Sequence, residues 1–591
     1  VELTRREKEL VRDSELSQPQ FQTTHEKNVE IPMRDGTTLR ANITRPDAEG
    51  QFPVLLERTP YNKEAGSENI VGSPEYYASR GYIVVIQDVR GRFASAGEFY
   101  PFRDDGAGVN RDGYDTVEWL AAQPWCNGKI GTIGGSYSGA TQYRNALSRP
   151  PHLAAMFIRE SSADYYHEWV YRGGAFELGF NMGWARSNTL SNLSHLAEGD
   201  DIERHREILE GVNAAADDWH GRLPIYPTPY MTGLSDWYNE WLDNPTDGSY
   251  WWQFSVEKFH DQIQTPIYHL GGWFDIFLNG TLKNYMGIKK RARTDKARQS
   301  QKLIVGPWVH GPANIDNQFA GEFDYGTDAA LNMNDLRLPW FDHWLKDADS
   351  GIMDEPPVRI FVMGRNEWTD REDWPIPGTQ YANFYLHGGN SGSANSLNDG
   401  TLSTKPPQGA EDPDSYTYDP SDPTPSKGGN TLTIPNGAFD QRDVEERCLT
   451  FTSEPLTEEI EATGHVKAVL YSASSAPDTD WVVRVTDVHP DGYSRPVADG
   501  ILRARYRDSF ENPTLLSPGQ IYKYDIDLWA TSNAFLPGHC IRVTITSSCF
   551  PRFDRNLNTG GPIHKEATGQ VAINTIFHDE LRPSHVVLPV L

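Results

Sequence analysis

A serine stands in a glycine-rich turn where a predicted strand meets a predicted helix. The segment GGSYSG, with Ser136 at its third position, ends the apolar run that begins GKIGTIGG and starts the helical stretch SGATQYRNALS. A nucleophile at such a junction stands on a sharp, strained turn, and small neighbours let the backbone make that turn. The common elbow has its second glycine two residues after the serine, but here Ser138 holds that position and Gly139 follows. The alternative interpretation is a glycine-rich helix start that Ser136 merely caps.

Asp275 and His310 can complete a catalytic group with Ser136. A serine hydroxyl needs a histidine base, and the base needs a carboxylate to orient it. Asp275 follows the strand IYHLGGWF and His310 follows LIVGPWV, so the order serine, aspartate, histidine is that of α/β-hydrolases. His269 lies inside a strand and His152 has no well-placed acid, which leaves His310 as the predicted base. A turn aspartate and a loop histidine are the alternative interpretations of Asp275 and His310.

The tetrahedral intermediate of acyl transfer needs hydrogen-bond donors for its oxyanion. The backbone N–H of Tyr137 is one natural donor, because it directly follows the nucleophile. The second donor usually comes from the loop after an early strand, here ERTPYNK, which offers the hydroxyl of Tyr61.

The elements around these residues predict a parallel sheet covered on both faces. Short apolar strands alternate with helices such as Asp115 to Ala122, which is typical of such a sheet. In open parallel sheets ligands bind at the carboxyl ends of the strands, where all three predicted catalytic residues fall. The predicted strands are Pro53 to Leu56, Tyr82 to Gln87, one that ends near Gly134, LAAMFIRE, TPIYHLGGWFD and QKLIVGPWVHG.

Two other textures divide the rest of the chain. The stretch 165–260 is rich in Trp and Tyr and is predicted to form a mainly helical cap over the sheet. From about Pro356, loops rich in Gly, Ser and Pro separate alternating strands, which predicts a β-sandwich of the jelly-roll type. Its expected strands are VRIFVMG, ANFYLHG, HVKAVLYSAS, WVVRVTDVHP, YKYDIDLWAT and CIRVTITSS. The predicted division is an N-terminal arm 1–25, hydrolase core 26–164, cap 165–260, hydrolase core 261–355 and jelly roll 356–591.

Composition excludes several classes of function. The formal net charge of -28 repels phosphate backbones, so no nucleic acid and no anionic membrane surface is expected as a partner. No apolar run reaches the length of a transmembrane helix. The four cysteines include no Cys-x-x-Cys pair, which excludes a zinc ribbon by spacing; Cys540 and Cys549 could pair or stay free.

The start of the sequence leaves localisation open. It begins with Val1 and has no apolar signal segment, so it settles neither a cytoplasmic nor a secreted protein. The arm 1–25, with weak helical periodicity from Leu3 to Leu16, is either a loose tail or a segment that packs on a neighbouring subunit, which makes a homo-oligomer a possibility.

Four motifs in order carry a family resemblance. RTPYNK, GGSYSG, GGWFD and GPWVHG together resemble the cocaine esterase-like (CocE/NonD) hydrolases, which are related to X-prolyl dipeptidyl peptidases and α-amino acid ester hydrolases. The resemblance extends from about Val29 to the C-terminus and accounts for the late second glycine, since the elbow of the family is Gly-x-Ser-Tyr-x-Gly. It implies an α/β-hydrolase domain, a helical cap and a jelly roll, with no metal and no organic cofactor.

The resemblance also implies the site: Ser136 as nucleophile, Asp275 as acid, His310 as base, and Tyr61 with the Tyr137 amide as oxyanion donors. The α-amino acid ester hydrolases carry extra carboxylates just after the triad aspartate, but here Ile276, Phe277 and Leu278 follow. An apolar stretch favours a neutral aromatic or apolar acyl group on a small-molecule ester. The candidate pocket residues are Tyr165, Tyr166, Trp169, Phe277 and Trp308.

Two other functions remain open at this point. An amide-active relative, such as a β-lactam acylase or an X-prolyl aminopeptidase, would use the same catalytic residues, and Glu160, Asp164 and Glu168 could bring acid to the entrance of the cap. A non-catalytic protein that binds carbohydrate through its jelly roll is the more remote alternative.

Overall fold

The N-terminal part of the chain forms a ten-stranded, mostly parallel sheet. The computed structural model describes residues 16–65, 74–106, 108–197, 199–433 and 435–591. The strand order is β1-β2-β4-β3-β5-β6-β7-β8-β9-β10. The strands from β4 to β9 along this order are parallel, whereas β1, β2 and β10 pair antiparallel with their neighbours. The strands are β1 (Thr23–Pro32), β2 (Thr38–Pro46), β3 (Phe52–Thr59), β4 (Ile83–Asp88), β5 (Cys126–Gly135), β6 (Leu153–Arg159), β7 (Ile267–Phe274), β8 (Gln301–Val309), β9 (Val358–Val362) and β10 (Glu367–Arg371).

The central strands are buried on both faces, as an apolar run predicts for a covered parallel sheet. Every residue of β4, β7 and β8 is buried. Helices Asp112–Ala121, Tyr137–Ser148, Leu278–Arg291, Asp295–Gln299 and Met333–Lys346 lie in the connections of this sheet, as does the short helix Pro74–Ala78. The predicted α/β-hydrolase core is therefore confirmed. The predicted strand Pro53 to Leu56 extends from Phe52 to Thr59, whereas the predicted segments LAAMFIRE, TPIYHLGGWFD and QKLIVGPWVHG reach beyond the ends of their strands.

One predicted strand lies in the other sheet. The segment VRIFVMG was assigned to the C-terminal sandwich, but Val358–Val362 pairs in parallel with β8 of the hydrolase sheet. The assignment was wrong because alternation over five residues shows that a strand exists and not which sheet receives it. The next strand, Glu367–Arg371, pairs antiparallel with it and ends the sheet.

A largely helical segment joins β6 to β7 and covers the sheet. It begins with one turn of π-helix, Tyr166–Val170, and a two-residue hairpin of Tyr171–Arg172 with Ala175–Phe176. Its rings and the apolar residues of the sheet face below it form one continuous buried cluster, so the cap is packed onto the core. Its helices are Leu178–Leu190, Leu193–Leu196, Asp200–Ala214, Ala216–Gly221, Asp236–Asp243 and Ser249–Trp252, followed by the 3-10 turn Glu257–Gln262.

The C-terminal domain is all-β, with a core of its own. In sheet order its strands are Asp414–Tyr418, Ala572–Phe577, Ile460–Ser474, His585–Val590, Gln380–His387, Gly400–Ser403, Leu449–Ser453, Cys540–Thr546, Asp480–Val488 and Ser494–Arg503, while Tyr522–Phe535 pairs with Ile460–Ser474. A short α-helix, Arg442–Glu445, and a 3-10 turn, Ala504–Tyr506, lie between strands of this domain. This domain completes the predicted architecture of a hydrolase core, a cap and a C-terminal β-sandwich.

The sequence left two questions open: where the N-terminal arm packs and whether Cys540 and Cys549 pair. Most of the predicted N-terminal arm lies outside the described residues. Within them, Leu16 is buried and Ser17 donates two hydrogen bonds to the carboxylate of Asp342, at 2.6 and 2.7 Å, so this part packs on its own chain. All four cysteines are free thiols, including Cys540 and Cys549.

Candidate active site

Ser136 occupies a strained turn between β5 and the helix Tyr137–Ser148. Its backbone has φ 56° and ψ -124°, a conformation that non-glycine residues adopt only where the surroundings enforce it. Gly134 and Gly135 leave no room for side chains: a Cβ at either would lie 2.6 Å from Ser138 Cβ or from the guanidinium of Arg159. These contacts explain why glycines precede the serine.

The second glycine of the motif has a separate packing role. A Cβ at Gly139 would lie 2.8 Å from the Cβ of Ser161 and 3.1 Å from Ile158, so the helix needs a glycine there to approach the end of β6. Ser138, where the common elbow has glycine, is buried and donates a hydrogen bond to Glu57 at 3.2 Å.

Asp275 and His310 meet at the carboxyl ends of β7 and β8. Nδ1 of His310 lies 2.5 Å from Oδ2 of Asp275, and the other carboxylate oxygen accepts the N–H of Phe277 at 2.7 Å. Asp275 is fully buried. With a carboxylate at Nδ1, that nitrogen carries the proton, and Nε2 is left as the acceptor that a general base requires.

Glu160 connects the turn that carries Ser136 with His310. The N–H of Ser136 donates to the carbonyls of Arg159 and Glu160, each at 3.0 Å. The carboxylate of Glu160 lies 3.5 Å from His310 Nδ1, accepts the N–H of Gly311 at 2.9 Å and pairs with Arg159. Burial raises the pKa of Glu160, and the negative charge of Asp275 raises it further.

Sequence reasoning placed Glu160 near the cap entrance and did not associate it with His310. A signal was present, since Glu160 is the first residue after β6 and so lies at the same sheet edge as the residues after β7 and β8.

Tyr61 and Tyr137 lie edge to face, with ring centroids 6.5 Å apart. Tyr61 is 38% exposed, and its hydroxyl accepts a hydrogen bond from Trp184 Nε1 at 3.0 Å. The ring of Tyr137 is buried, and its hydroxyl donates to Asp105 at 3.1 Å and accepts the N–H of Phe102 at 2.9 Å. The side chain of Tyr137 is therefore engaged in the core, and only its backbone amide, in the first turn of the helix, is suited to an oxyanion.

A cleft of roughly 450 Å³ opens beside Tyr61. Its apolar walls come from Phe93, from Phe180 and Trp184 of the cap, and from Leu432 of the C-terminal half. Phe180 and Trp184 were not predicted as pocket residues. Both lie on the first long cap helix, Leu178–Leu190, four residues apart and so on one face. Counting aromatic residues along the chain does not show which face of a helix they occupy.

The predicted pocket residues occupy three different places. Phe277 contacts the ring of His310, with centroids 5.2 Å apart, and stacks on Trp169 at 4.5 Å. Tyr165 packs at 4.1 Å against Phe102. All three predicted residues are fully or almost fully buried, so they form the layer behind Phe180 and Trp184 and not the open wall.

The structure does not bring Tyr166 or Trp308 to this layer. The hydroxyl of Tyr166 donates to the carbonyl of Pro245 at 2.9 Å, and its ring stacks on Tyr171. Trp308 donates to the carbonyl of Ala329 at 2.9 Å and belongs to a different buried cluster. Proximity in sequence to His310 and to the cap entrance did not reveal the direction of these side chains.

The C-terminal half also contacts the loop that carries Asp275. Asn430 Nδ2 donates to the carbonyls of Trp273 and Asp275, at 2.6 and 3.3 Å. The carbonyl of Asn430 in turn accepts from Arg552 Nη2 at 2.6 Å. A side chain from outside the hydrolase sheet thus holds the backbone on both sides of the acid loop.

Two groups of side chains in the described ranges have the spacing of a metal site. One is Glu160, Asp275 and His310. In this group Asp275 is hydrogen-bonded to His310 and Glu160 is paired with Arg159, so the side chains already have partners other than a metal ion. The other is Asp487, His489 and His539 in the C-terminal domain. There Arg495 binds the second oxygen of Asp487 at 2.8 Å, and its positive charge opposes a cation at the same carboxylate.

Comparisons with known proteins show similarity along both halves of the chain. Residues 35–312 match the model of the X-Pro dipeptidyl-peptidase (S15 family), and residues 350–587 match the X-Pro dipeptidyl-peptidase C-terminal non-catalytic domain. A cocaine esterase from Rhodococcus sp. (strain MB1 Bresler) is 40% identical over 95% of this chain and 98% of its own length.

Solved structures with the same architecture cover nearly the whole chain. An aminopeptidase from a marine sediment archaeon, Thaumarchaeota archaeon, superposes with a TM-score of 0.83 at 27% identity, over 96% of this chain and 97% of that one. An α-amino acid ester hydrolase superposes with a TM-score of 0.80 at 26% identity, over the same shares of the two chains. None of the described helices is long and apolar enough to cross a membrane.

Proposed function

Since the chain belongs to the cocaine esterase-like (CocE/NonD) family of α/β-hydrolase serine hydrolases, we propose that it cleaves carboxylic esters through an acyl-enzyme on Ser136. The observation that carries the proposal is the hydrogen bond of 2.5 Å between His310 and Asp275, next to a strained serine turn. Such a turn exposes a hydroxyl at the sheet edge, and a histidine oriented by a buried carboxylate can accept its proton.

The proposed reaction has two symmetrical halves. His310 Nε2 takes the hydroxyl proton of Ser136 as the serine oxygen attacks the carbonyl carbon of the ester. Asp275 stabilises the imidazolium that forms. The phenol of Tyr61 and the amide of Tyr137 donate to the oxyanion. His310 then protonates the departing alcohol. Water repeats the sequence on the acyl-enzyme and releases the acid and the free serine.

The acyl group is proposed to be neutral and aromatic or apolar. The cleft beside Tyr61 has an apolar wall, formed by Phe93, Phe180, Trp184 and Leu432, and a polar wall, formed by Ser187, Asn188 and Ser191. An aromatic wall suits apolar ligands. The volume of roughly 450 Å³ lies in the range of pockets for small organic molecules.

The nearby acids are already engaged, which argues against a site for a substrate ammonium group. Glu168 pairs with Lys283 at 3.1 Å, and Asp164 accepts the N–H groups of Tyr166 and His167 at 3.0 and 3.1 Å. Glu160 pairs with Arg159. A free carboxylate would be needed to bind an α-amino group in a cavity that water leaves on substrate binding.

An amide-active enzyme is the second candidate, because two structural relatives are named an aminopeptidase and an α-amino acid ester hydrolase. A panel of p-nitrophenyl acetate, p-nitrophenyl benzoate and amino-acyl p-nitroanilides separates the two. Cocaine, the ester for which the 40%-identical relative is named, completes the panel. We expect the largest kcat/KM for the aromatic esters; faster turnover of free α-amino substrates than of acetyl or benzoyl esters would refute the proposal.

Covalent labelling tests the catalytic role against a carbohydrate-binding role. A fluorophosphonate probe reacts with an activated serine, so we expect one labelled site that disappears in Ser136→Ala. Equal labelling of the variant, or an unlabelled folded wild type, would remove Ser136 from the reaction. Ser161→Ala is a suitable matched control, since its hydroxyl donates at 3.0 Å to the carbonyl of Ser136 and has no proposed chemical step.

A further inference from the structure

Two carboxylates face the Nδ1 atom of His310. Asp275 Oδ2 lies 2.5 Å from this nitrogen and Glu160 Oε2 lies 3.5 Å from it. Glu160 follows β6 and Asp275 follows β7, and these strands are neighbours in the sheet. The two acids therefore stand side by side at one sheet edge, each as the first residue after its strand.

Glu160 is held in this place by several independent contacts. Its backbone adopts φ 48°, and its N–H donates to the carbonyl of Leu270 on β7 at 2.8 Å. Its Oε2 accepts from Gly311, the residue after His310, and pairs with Arg159. Its Oε1 is buried and finds no hydrogen-bond partner among the described residues.

Such an arrangement is costly to build. A positive φ is a strained conformation for a glutamate, and burial of a carboxylate with one oxygen unbonded adds to the cost of that strain. Strained and incompletely bonded groups that persist beside a reactive side chain are a mark of function. The partner that this carboxylate can act on is the imidazole of His310.

We propose that Glu160 is a second acid for His310, an inference that rests on the proposed role of His310 as the general base. When His310 accepts the proton of Ser136, the ring becomes positive and both carboxylates stabilise it. No proton passes to Glu160. If Asp275 is neutralised, a small rotation of the imidazole brings the Nδ1–H to Glu160, which keeps the ring in the productive tautomer. Glu160 is in this sense a positioning residue, with Asp275 as the primary partner.

A double-mutant cycle at the two acids tests the inference. Replacement of a sole triad acid by its amide lowers kcat by about 10⁴-fold. With Glu160 as a second acceptor, Asp275→Asn alone should lower kcat by only about 10²-fold, and Asp275→Asn with Glu160→Gln should reach the loss of about 10⁴-fold. A double variant no slower than Asp275→Asn would overturn the inference.

The pH profile supplies a readout that a structural role would not change. The groups that face His310 Nδ1 are Asp275 and Glu160, with Arg159 paired to the latter. Loss of one negative charge destabilises the imidazolium, so Glu160→Gln should move the ascending limb of kcat/KM to lower pH by about one unit. An unmoved limb would contradict the proposal.

Glu445→Gln is the matched control for loss of a buried carboxylate. Glu445 is buried in the C-terminal domain, where it pairs with Arg542 and accepts a hydrogen bond from Ser494. Its substitution should leave the ascending limb in place. If it moved the limb as much as Glu160→Gln, the shift would report a general charge effect and the inference would fail.

A second variant and a labelling assay separate a folding defect, and failure of the proposed role of Ser136, from failure of the role of Glu160. If Glu160→Gln does not fold, Glu160→Asp keeps the charge and withdraws the carboxylate by one methylene. Combined with Asp275→Asn, Glu160→Asp should show the same additional loss of kcat. If kcat does not fall further than in Asp275→Asn alone, the inference fails. Fluorophosphonate labelling of the wild type distinguishes the two hypotheses. No labelling refutes Ser136 as nucleophile, whereas labelling with no synergy between the acids refutes only the role of Glu160.

Discussion

Tyr61→Phe removes one hydroxyl from the candidate oxyanion site and leaves the ring in place. The ring contacts Tyr137 edge to face at 6.5 Å, a contact that needs no oxygen. The hydroxyl accepts a hydrogen bond from Trp184 Nε1 at 3.0 Å. Because the side chain is 38% exposed, water can replace the lost hydrogen bond, and the free energy of unfolding should change by less than about 1 kcal/mol.

The expected kinetic effect is much larger than the effect on stability. A lost oxyanion donor costs roughly 10²-fold in kcat, which corresponds to about 2.7 kcal/mol of activation free energy. KM should change little, because the donor acts on charge that develops only in the transition state. Stopped-flow release of p-nitrophenol from p-nitrophenyl benzoate measures acylation, and steady-state turnover includes deacylation; both should slow, since both pass through an oxyanion.

Two companion variants sharpen the result. Trp184→Phe removes the N–H that orients the Tyr61 hydroxyl and should cost less than Tyr61→Phe. Tyr100→Phe removes a hydroxyl that bonds Glu240 and Tyr250 at the edge of the cap and should leave kcat unchanged. Activity of Tyr61→Phe within twofold of wild type would reject the oxyanion role, and a rise in KM at constant kcat would assign Tyr61 to ground-state binding instead.

Three further predictions concern stability and selectivity. Burial lowers the pKa of His578, but the hydrogen bond and charge of Asp414 raise it overall, so its stabilising effect is complete below about pH 6.5 and is lost as pH rises through the folded-state pKa. The difference in urea unfolding free energy between wild type and His578→Gln should shrink from about pH 6 to about pH 8; a constant difference would contradict this. Gly134 has φ +143°, and a Cβ there would lie 2.6 Å from a side-chain carbon of the following helix. Gly134→Ala should therefore lower the free energy of unfolding by about 1–3 kcal/mol. Gly211→Ala, with open space around it, should not lower it, and equal effects would reject the steric argument. Phe180→Ala should lower kcat/KM for benzoyl esters about tenfold more than for acetyl esters, and equal losses would remove Phe180 from the acyl site.

Chain order and strand ends carry much of the information about where the polar residues meet. They predict that Asp275 and His310 approach each other, and the two side chains are hydrogen-bonded; their chemical roles stay predictions. The same logic applied to the end of β6 would have found Glu160. It was missed because a single strand-terminal glutamate is common, and only its backbone conformation and its contact with Gly311 distinguish it.

Side-chain direction was the least predictable property. Trp308 is two residues from His310, yet β8 departs from regular register with β7 between Gly306 and Val309, so alternation along the strand does not assign its face. Tyr166 lies in a turn of π-helix, where neither a period of two nor one of 3.6 applies. The sheet that receives Val358–Val362 depends on long-range pairing, which a five-residue pattern does not encode.

The hydrogen bonds from Asn430 to the carbonyls of Trp273 and Asp275 bear on how modular this protein is. Asn430, from the β-sandwich segment, holds the backbone of the loop that carries Asp275. Met363 joins the two domains as well: its N–H donates to the carbonyl of Ser532, and its carbonyl accepts the N–H of Ala534. The half of the chain that forms the hydrolase sheet is then not an exchangeable unit. Recombination with a relative should preserve activity only if the segment 424–437 is inherited together with the loop after β7, and heating should abolish turnover in the same transition that melts the sandwich.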